Sequence, residues 1–348
     1  ARGPFRSTRT PDVDIMTHTT RQGFPARPGA RFGALTRIAA LPVATVLVLG
    51  LVVASLFVGV YDIGGQEFGA EMFWITRIPR TSALVLAGCA MSVSGLIMQL
   101  ITQNRFVEPT TTGTTEWATL GLLLTVIVAP QATLSTRMAV ASCFAFVGTL
   151  VFLTILRRVA LRSSLIVPLI GIMLGAVVSA FTTYLAVSTQ LLQMLGTWFT
   201  GSFTSVVRGR YEFLWVVAIV VVIAYVVADR FTVAGLGKDV ATNVGVNYNH
   251  VMLVGTTLVA IASGITTVVV GFLPFLGLVV PNLVSMVRGD NLRSNLPWVC
   301  LGGIAIVTLC DIVGRVIRMP FEIPVSMILG ILGAAVFITL LLRQRRHG

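Results

Sequence analysis

Ten stretches of mainly apolar residues recur along this chain, at 38–60, 81–101, 111–130, 137–156, 164–187, 211–229, 251–271, 273–289, 297–316 and 323–342. Most are close to the roughly 20 residues a helix needs to cross a bilayer. Backbone exposed to lipid must satisfy its own hydrogen bonds, so runs of this kind are read as membrane-spanning helices. Charged residues make up 11% of the chain and hydrophobic ones 55%, where a soluble domain carries about 25% charged residues. The expected fold is therefore an all-α integral membrane protein of about ten helices. The third and eighth runs are short or polar by hydropathy, so the expected count is eight to ten. No internal repeat of fixed period appears.

Ten spans put both termini on one side. With the termini inside, 18 of the 25 Lys and Arg residues fall in the cytoplasm, seven of them at or before Arg37. Positive charge is enriched on that side of a membrane, so this orientation is the expected one. The net charge of +12 then belongs to loops around a bundle, and a nucleic-acid partner is excluded. Residues 1–36, rich in Arg, Pro, Gly and Thr, are predicted to be a disordered cytoplasmic tail, with residues 37–343 as the permeation domain and 344–348 as a short cytoplasmic end. The first run reads as a retained helix rather than a cleaved leader. Cys89, Cys143, Cys300 and Cys310 lie in predicted spans without metal spacing, and His18, His250 and His347 are scattered. No metal site and no catalytic residue is expected.

Seven arginines remain outside: Arg77, Arg80, Arg137, Arg208, Arg210, Arg315 and Arg318. Four of these form two tight pairs, Arg77 with Arg80 and Arg315 with Arg318, at the ends of apolar runs. Clustered there they point to an acidic partner docking on the outer face, whereas Arg137, Arg208 and Arg210 read more simply as interfacial snorkelling. The stretch 188–208 is too long and apolar for a plain loop. It reads as a short helix dipping into the outer half of the bundle, which is tolerated only where it packs in protein or lines a cavity.

On the cytoplasmic side, Gly235-Leu236-Gly237-Lys238-Asp239-Val240-Ala241 and Gly245 describe about two turns of helix between glycines, within a segment 234–248. Asp239 in a first turn suits the helix dipole. Such a helix can seat in a partner's groove and move as a unit, although an ordinary amphipathic connector reads the same way. Gly237-Lys238 is not a phosphate-binding loop, because Thr232 and Asp239 stand where that motif needs Gly and Ser/Thr. ATP chemistry must sit on another chain. Of the acidic residues, Glu116, Asp311 and Glu322 are read as the ones close to spans, each nearer an end than the middle. This pattern does not suit a proton- or ion-coupled carrier. Asp311 and Arg315, four apart, are expected to face each other along one helix. Gly171 and Gly175 should allow close packing of the fifth span.

Four separated motifs, in order, resemble the permease subunits of FecCD-type ABC importers for iron-siderophores and vitamin B12. Arg77-Ile78-Pro79-Arg80-Thr81, Ala87-Gly88 and Ser94-Gly95 to Gln99 are similar to that family's second-helix opening. Leu236-Gly237 through Ala241 to Val244-Gly245-Val246 is similar to its coupling segment. Phe275-Leu276-Gly277-Leu278-Val279-Val280-Pro281 matches F-x-G-L-x-x-P, and Asp311 to Arg315 followed by Glu322-Ile323-Pro324-Val325 matches its close.

The resemblance implies a type II importer architecture: two ten-helix permeases, the same or different, around a central pathway and surrounded by membrane lipid. It implies two ATPase subunits, carrying ATP-Mg, at the coupling segment, and a siderophore-binding protein docked outside. By position, Arg77, Arg80 and Arg315 would grip acidic residues of that binding protein; Arg318 has no clear counterpart. The segment from Asn104 through Phe106 to Pro109, at the inner mouth, would form part of an inner gate. Asn282 replaces the family's usual His, and Asn104-Arg105-Phe106-Val107-Glu108-Pro109-Thr110-Thr111 replaces N-P-L-A-x-P. Both departures are similar to a subgroup serving catecholate or mixed-catecholate siderophores rather than vitamin B12. Haem or cobalamin permeation, and a carrier working without an ATPase, are the alternatives.

Overall fold

In a computed structural model of the chain, residues 30–59, 69–158, 166–289 and 291–347 are described. Contacts divide the chain into residues 1–42 and residues 43–348. Of the first unit, residues 1–29, most of the expected tail, lie outside the described residues; helix α1 (Ala30–Phe57) already begins where a disordered tail is expected. Arg162 and Gly348 also lie outside them. At the other end helix runs on to His347, through most of the expected terminal segment.

The second unit is a helical bundle. α2 (Gly69–Met72) passes through one π-helical turn, Phe73–Arg77, into α3 (Ile78–Ile101). α4 (Thr114–Val128), α5 (Leu134–Arg158), α6 (Ile166–Ser188) and the short α7 (Leu192–Phe199) follow. α8 (Trp215–Val226), α9 (Ala228–Gly235) and α10 (Lys238–Asn243) lead to α11 (Tyr248–Val269), α12 (Leu276–Arg288), α13 (Leu292–Val316) and α14 (Val325–His347). Among the described residues, six helices are long and apolar enough to cross a membrane. α8 with α9, bent by 63°, makes a seventh, and Thr114–Val128, Leu276–Arg288 and Val325–Leu340 are shorter apolar helices. These segments fall where apolar runs were expected, with the third and eighth short as read and the tenth short as well.

Three of the boundaries that differ from the sequence reading bear on the site. The second span starts earlier: helix runs on through the π-helical turn into α3, and the Ile75 carbonyl, which Pro79 four residues on cannot reach with an N–H, accepts from Arg208 N at 3.1 Å instead; Arg77 and Arg80 are therefore helical residues. The sixth span breaks at Val227, so the residues expected to open a loop are helical α9. The eighth span begins only at Leu276, after a left-handed Phe275 (φ 60°).

α3 is the hub, packed against α8, α9, α11, α12 and α13. In lipid no hydrophobic force drives helices together, so close packing of small residues carries the association. Gly88 lies against the backbone of Gly303 on α13, and Gly95 against Gly277 on α12; a Cβ at either position on α3 would overlap the facing backbone. Gly171 and Gly175, expected to allow close packing, admit both the turn before α4 and α4 itself: a Cβ on Gly171 would overlap the Thr111 carbonyl, and one on Gly175 would meet Gly113 and the Glu116 side chain. By contrast, Val46, Leu47, Val53 and Phe57 of α1 are exposed, as suits a face turned to lipid.

Candidate functional site

At one end of the bundle the clustered arginines turn inward. Asp311, on α13 with its side chain 0% exposed, lies between two guanidinium groups. Arg80 Nη2 approaches its Oδ1 at 2.7 Å, and Arg315 Nη2 its Oδ2 at 2.6 Å. The second pair is the expected one-turn pair along α13. Arg80 Nη1 also donates to the Glu322 carboxylate at 2.9 Å. Glu322 reaches α3 because the turn after α13 doubles back: Ile323 N donates to the Gly314 carbonyl at 2.9 Å. Thr204 Oγ1 donates to Glu322 Oε2 at 2.6 Å.

Arg315, 2% exposed, donates further to the Ser55 carbonyl at 2.9 Å and to Ser55 Oγ and the Val58 carbonyl at 2.5 Å. Arg77 also donates to Val58 O. Arg80 and Arg315 thus hold α3, α13, the turn before Pro324 and the end of α1 together. Arg77 and Arg80, with Thr204 and Glu322, line an open cavity of about 520 Å³. Arg318 lies apart, exposed, with its guanidinium 6.0 Å over the Phe321 ring.

The segment 188–208 forms α7 and then folds back over the bundle: Ser202 N donates to Val270 O at 3.0 Å and Ser326 N to Gly201 O at 3.1 Å. It joins the ends of α11 and α14, and Pro324 marks the start of the latter.

At the other end, α9 and α10 are separated at Leu236 and Gly237, the latter with φ +110°. Gly245 (φ +84°) closes α10, and its N–H donates to Thr242 O at 3.0 Å while Val246 N donates to Ala241 O at 2.9 Å. Only a residue without Cβ takes these left-handed conformations cheaply. Ala241 is buried, whereas Leu236, Val240 and Val244 are exposed at four-residue spacing. Lys238 and Asp239 are exposed beside them. Arg293 pairs with Asp229, anchoring α9 to the start of α13.

Between these ends lies a buried junction that the sequence reading underestimated. The turn 104–113 packs into the bundle, with Asn104, Phe106, Val107, Glu108 and Pro109 all buried. Asn104 Oδ1 accepts from Phe106 N at 2.9 Å, and the Phe106 ring meets Phe337 edge-on at 5.7 Å. Glu108, 0% exposed, accepts from Phe275 N at 2.8 Å at the N-terminus of α12, where negative charge is favoured. It is a fourth acidic residue beside the spans, counter to the count of three. The signal was a lone carboxylate between Val107 and Pro109.

Inside α12, Pro281 has no N–H to give to the Gly277 carbonyl four residues back. Gln99 Nε2 of α3 supplies that donor at 3.2 Å. Asn282 Nδ2 spans Leu278 O and Arg105 O, each at 2.7 Å, tying α12 to the turn. Among the described residues no group of His, Cys, Asp or Glu is placed to hold a metal ion.

The arrangement is an anchored ring of charge at one end, a hinged helix at the other and a glycine-packed hub between them. The sequence pattern of the FecCD transport family matches residues 41–343. The chain belongs to the FecCD transport family. It is 58% identical over 306 residues to the petrobactin import system permease protein FatD of Bacillus anthracis, covering 88% of this chain and 91% of that one. It is 38% identical over 299 residues to the ferric-anguibactin transport system permease protein FatD of Vibrio anguillarum, covering 84% and 95%. Among solved structures, an ABC transporter assigned to the metal-chelate type, in an inward-facing conformation, superposes with a TM-score of 0.75 at 25% identity, covering 88% of this chain and 99% of that one. This FecCD member is an all-helical integral membrane protein with the architecture of an ABC importer permease.

Proposed function

We propose that this FecCD permease carries a ferric siderophore, of the catecholate-bearing class, across the cytoplasmic membrane of a bacterium with both termini inside. The observation that carries this reading is the likeness, along almost the whole chain, to permeases of two siderophore importers. The chain performs no covalent chemistry. ATP-Mg is bound and hydrolysed by separate ATPase subunits, which seat on Leu236, Val240 and Val244 and move α10 between the Gly237 and Gly245 hinges. The exposure of that apolar stripe beside two left-handed glycines supports this assignment.

A second permease copy or a related chain completes the pathway. A loaded binding protein docks on the outer face. Arg77, in the open cavity with Thr204 and Glu322, is the arginine best placed for its carboxylates. Arg80 and Arg315 hold that surface in shape through Asp311 and Glu322 and offer less of themselves. The turn from Asn104 to Pro109 acts as an inner gate only together with α12, to which it is bonded.

The test is radiolabelled iron uptake by a deletion strain and its complement, supplied with catecholate, hydroxamate and citrate siderophores, haem, or labelled cobalamin. Selective loss with catecholate carriers is the expected result. Loss of cobalamin alone would overturn the cargo, and no loss with any cargo would overturn the importer.

A further inference from the structure

Beside the charged ring lies a second outer cavity, of about 790 Å³, within the size range of small-molecule sites. Its lining runs along α7, the segment after it and the end of α11. Thr197, Thr200, Ser202, Ser205 and Thr267 give it a hydroxyl surface, Trp198 adds an aromatic wall, and Arg210 is its single charged lining residue. Arg210 is exposed, and among the described residues no carboxylate pairs with it. The nearby Glu212 accepts from Gly209 N instead, at 2.9 Å. Arg80 and Arg315 are neutralised by Asp311 and Glu322; Arg210 is not. A positive charge facing a cavity without acidic lining favours an anionic occupant. The planar guanidinium fork suits paired oxygens. Thr204 and Pro324 also line this cavity, and Thr204 lines the cavity of Arg77 and Arg80 as well, so the two spaces share a wall.

We infer that Arg210 selects the cargo by charge at the outer entrance: the cavity receives a ferric chelate with excess negative charge and holds its anionic oxygens against Arg210 and the Ser205 and Thr267 hydroxyls, those of Thr197 and Thr200 already donating to the Met194 and Gly196 carbonyls. Simple valence supports a catecholate over a hydroxamate. Three dianionic catecholates leave a ferric complex negative, whereas three monoanionic hydroxamates leave it neutral. This departs from the snorkelling expectation for Arg210, and it rests on the proposed import of a ferric chelate.

Arg210→Lys, Arg210→Gln and Arg210→Glu would be placed in the complete importer. Two quantities are read: the maximal rate of radiolabelled uptake of a ferric tricatecholate, and the affinity of the cargo-free binding protein for the purified importer. The Glu variant should lower the maximal rate about 10-fold or more, one decade per 1.4 kcal/mol, Gln less, and Lys least, with docking affinity within about twofold of the unaltered importer. Unchanged uptake by the Glu and Gln variants would overturn the inference. So would a parallel loss of docking, which would assign Arg210 to the binding-protein interface. Failure of the unaltered importer to take up any ferric siderophore would instead overturn the importer reading, and this inference with it.

Discussion

Asp311→Asn isolates the ring of charge that ties α3, α13 and the end of α1 together. The substitution keeps size and shape but removes the one carboxylate that both Arg80 and Arg315 approach. Removing one partner of a buried pair typically costs about 3–5 kcal/mol, because the remaining charge stays desolvated. Arg80 keeps Glu322 at 2.9 Å and is 13% exposed, so its share of that cost is small. Arg315 is 2% exposed and keeps only neutral acceptors, the Ser55 and Val58 carbonyls and Ser55 Oγ. The lower end, about 3 kcal/mol, is therefore expected. Thermal unfolding of the detergent-solubilised protein should show a midpoint lower by several degrees. Arg318→Gln, at an exposed arginine on the same turn, should stay within about 0.5 kcal/mol of the unaltered protein. Equal midpoints for Asp311→Asn and the unaltered protein would refute the view that Asp311 neutralises two buried cations.

Gln99→Leu should leave the Gly277 carbonyl without its donor and destabilise the α3–α12 seam by about 1–3 kcal/mol, read in the same melt. Leu236→Asp with Val240→Asp should abolish co-purification of the ATPase subunit while leaving the melting midpoint unchanged, since both side chains are exposed; retained co-purification would move the ATPase contact elsewhere. The Glu322 carboxyl, pushed up by partial burial but pulled down further by the Thr204 hydroxyl and the Arg80 charge, is held below its ordinary value of 4.5. Its folded pKa is the depressed one, so its stabilisation is complete above about pH 4.5 and is lost as pH falls through the lower folded value. Glu322→Gln should therefore flatten the acid limb of the melting-midpoint profile below that pH, and an unchanged acid limb would remove Glu322 from the account.

Much of the fold was legible because apolar length is a direct readout of the bilayer: six or seven span-length helices and three shorter ones lie where apolar runs were expected. Motif spacing likewise located Gly237, Gly245 and the Asp311–Arg315 pair. Burial was not legible. Arg80 and Arg315 look like outward charges in sequence, but only the fold shows that Glu322 returns to α3 through a turn bonded at Gly314. Glu108 was hidden for a similar reason: its partner, the N–H of Phe275, is 167 residues away. The reach of Gln99 across to a carbonyl freed by Pro281 is also a long-range fact, with no period or motif to announce it.

The central claim is tested most directly in vesicles that contain this permease, its ATPase and its loaded binding protein, by following the accumulation of a radiolabelled ferric catecholate siderophore. Accumulation is expected to require ATP and both partners and to persist when ion gradients are collapsed. Accumulation that proceeds without the ATPase and stops on collapsing a gradient would contradict the account and make the chain a carrier in its own right.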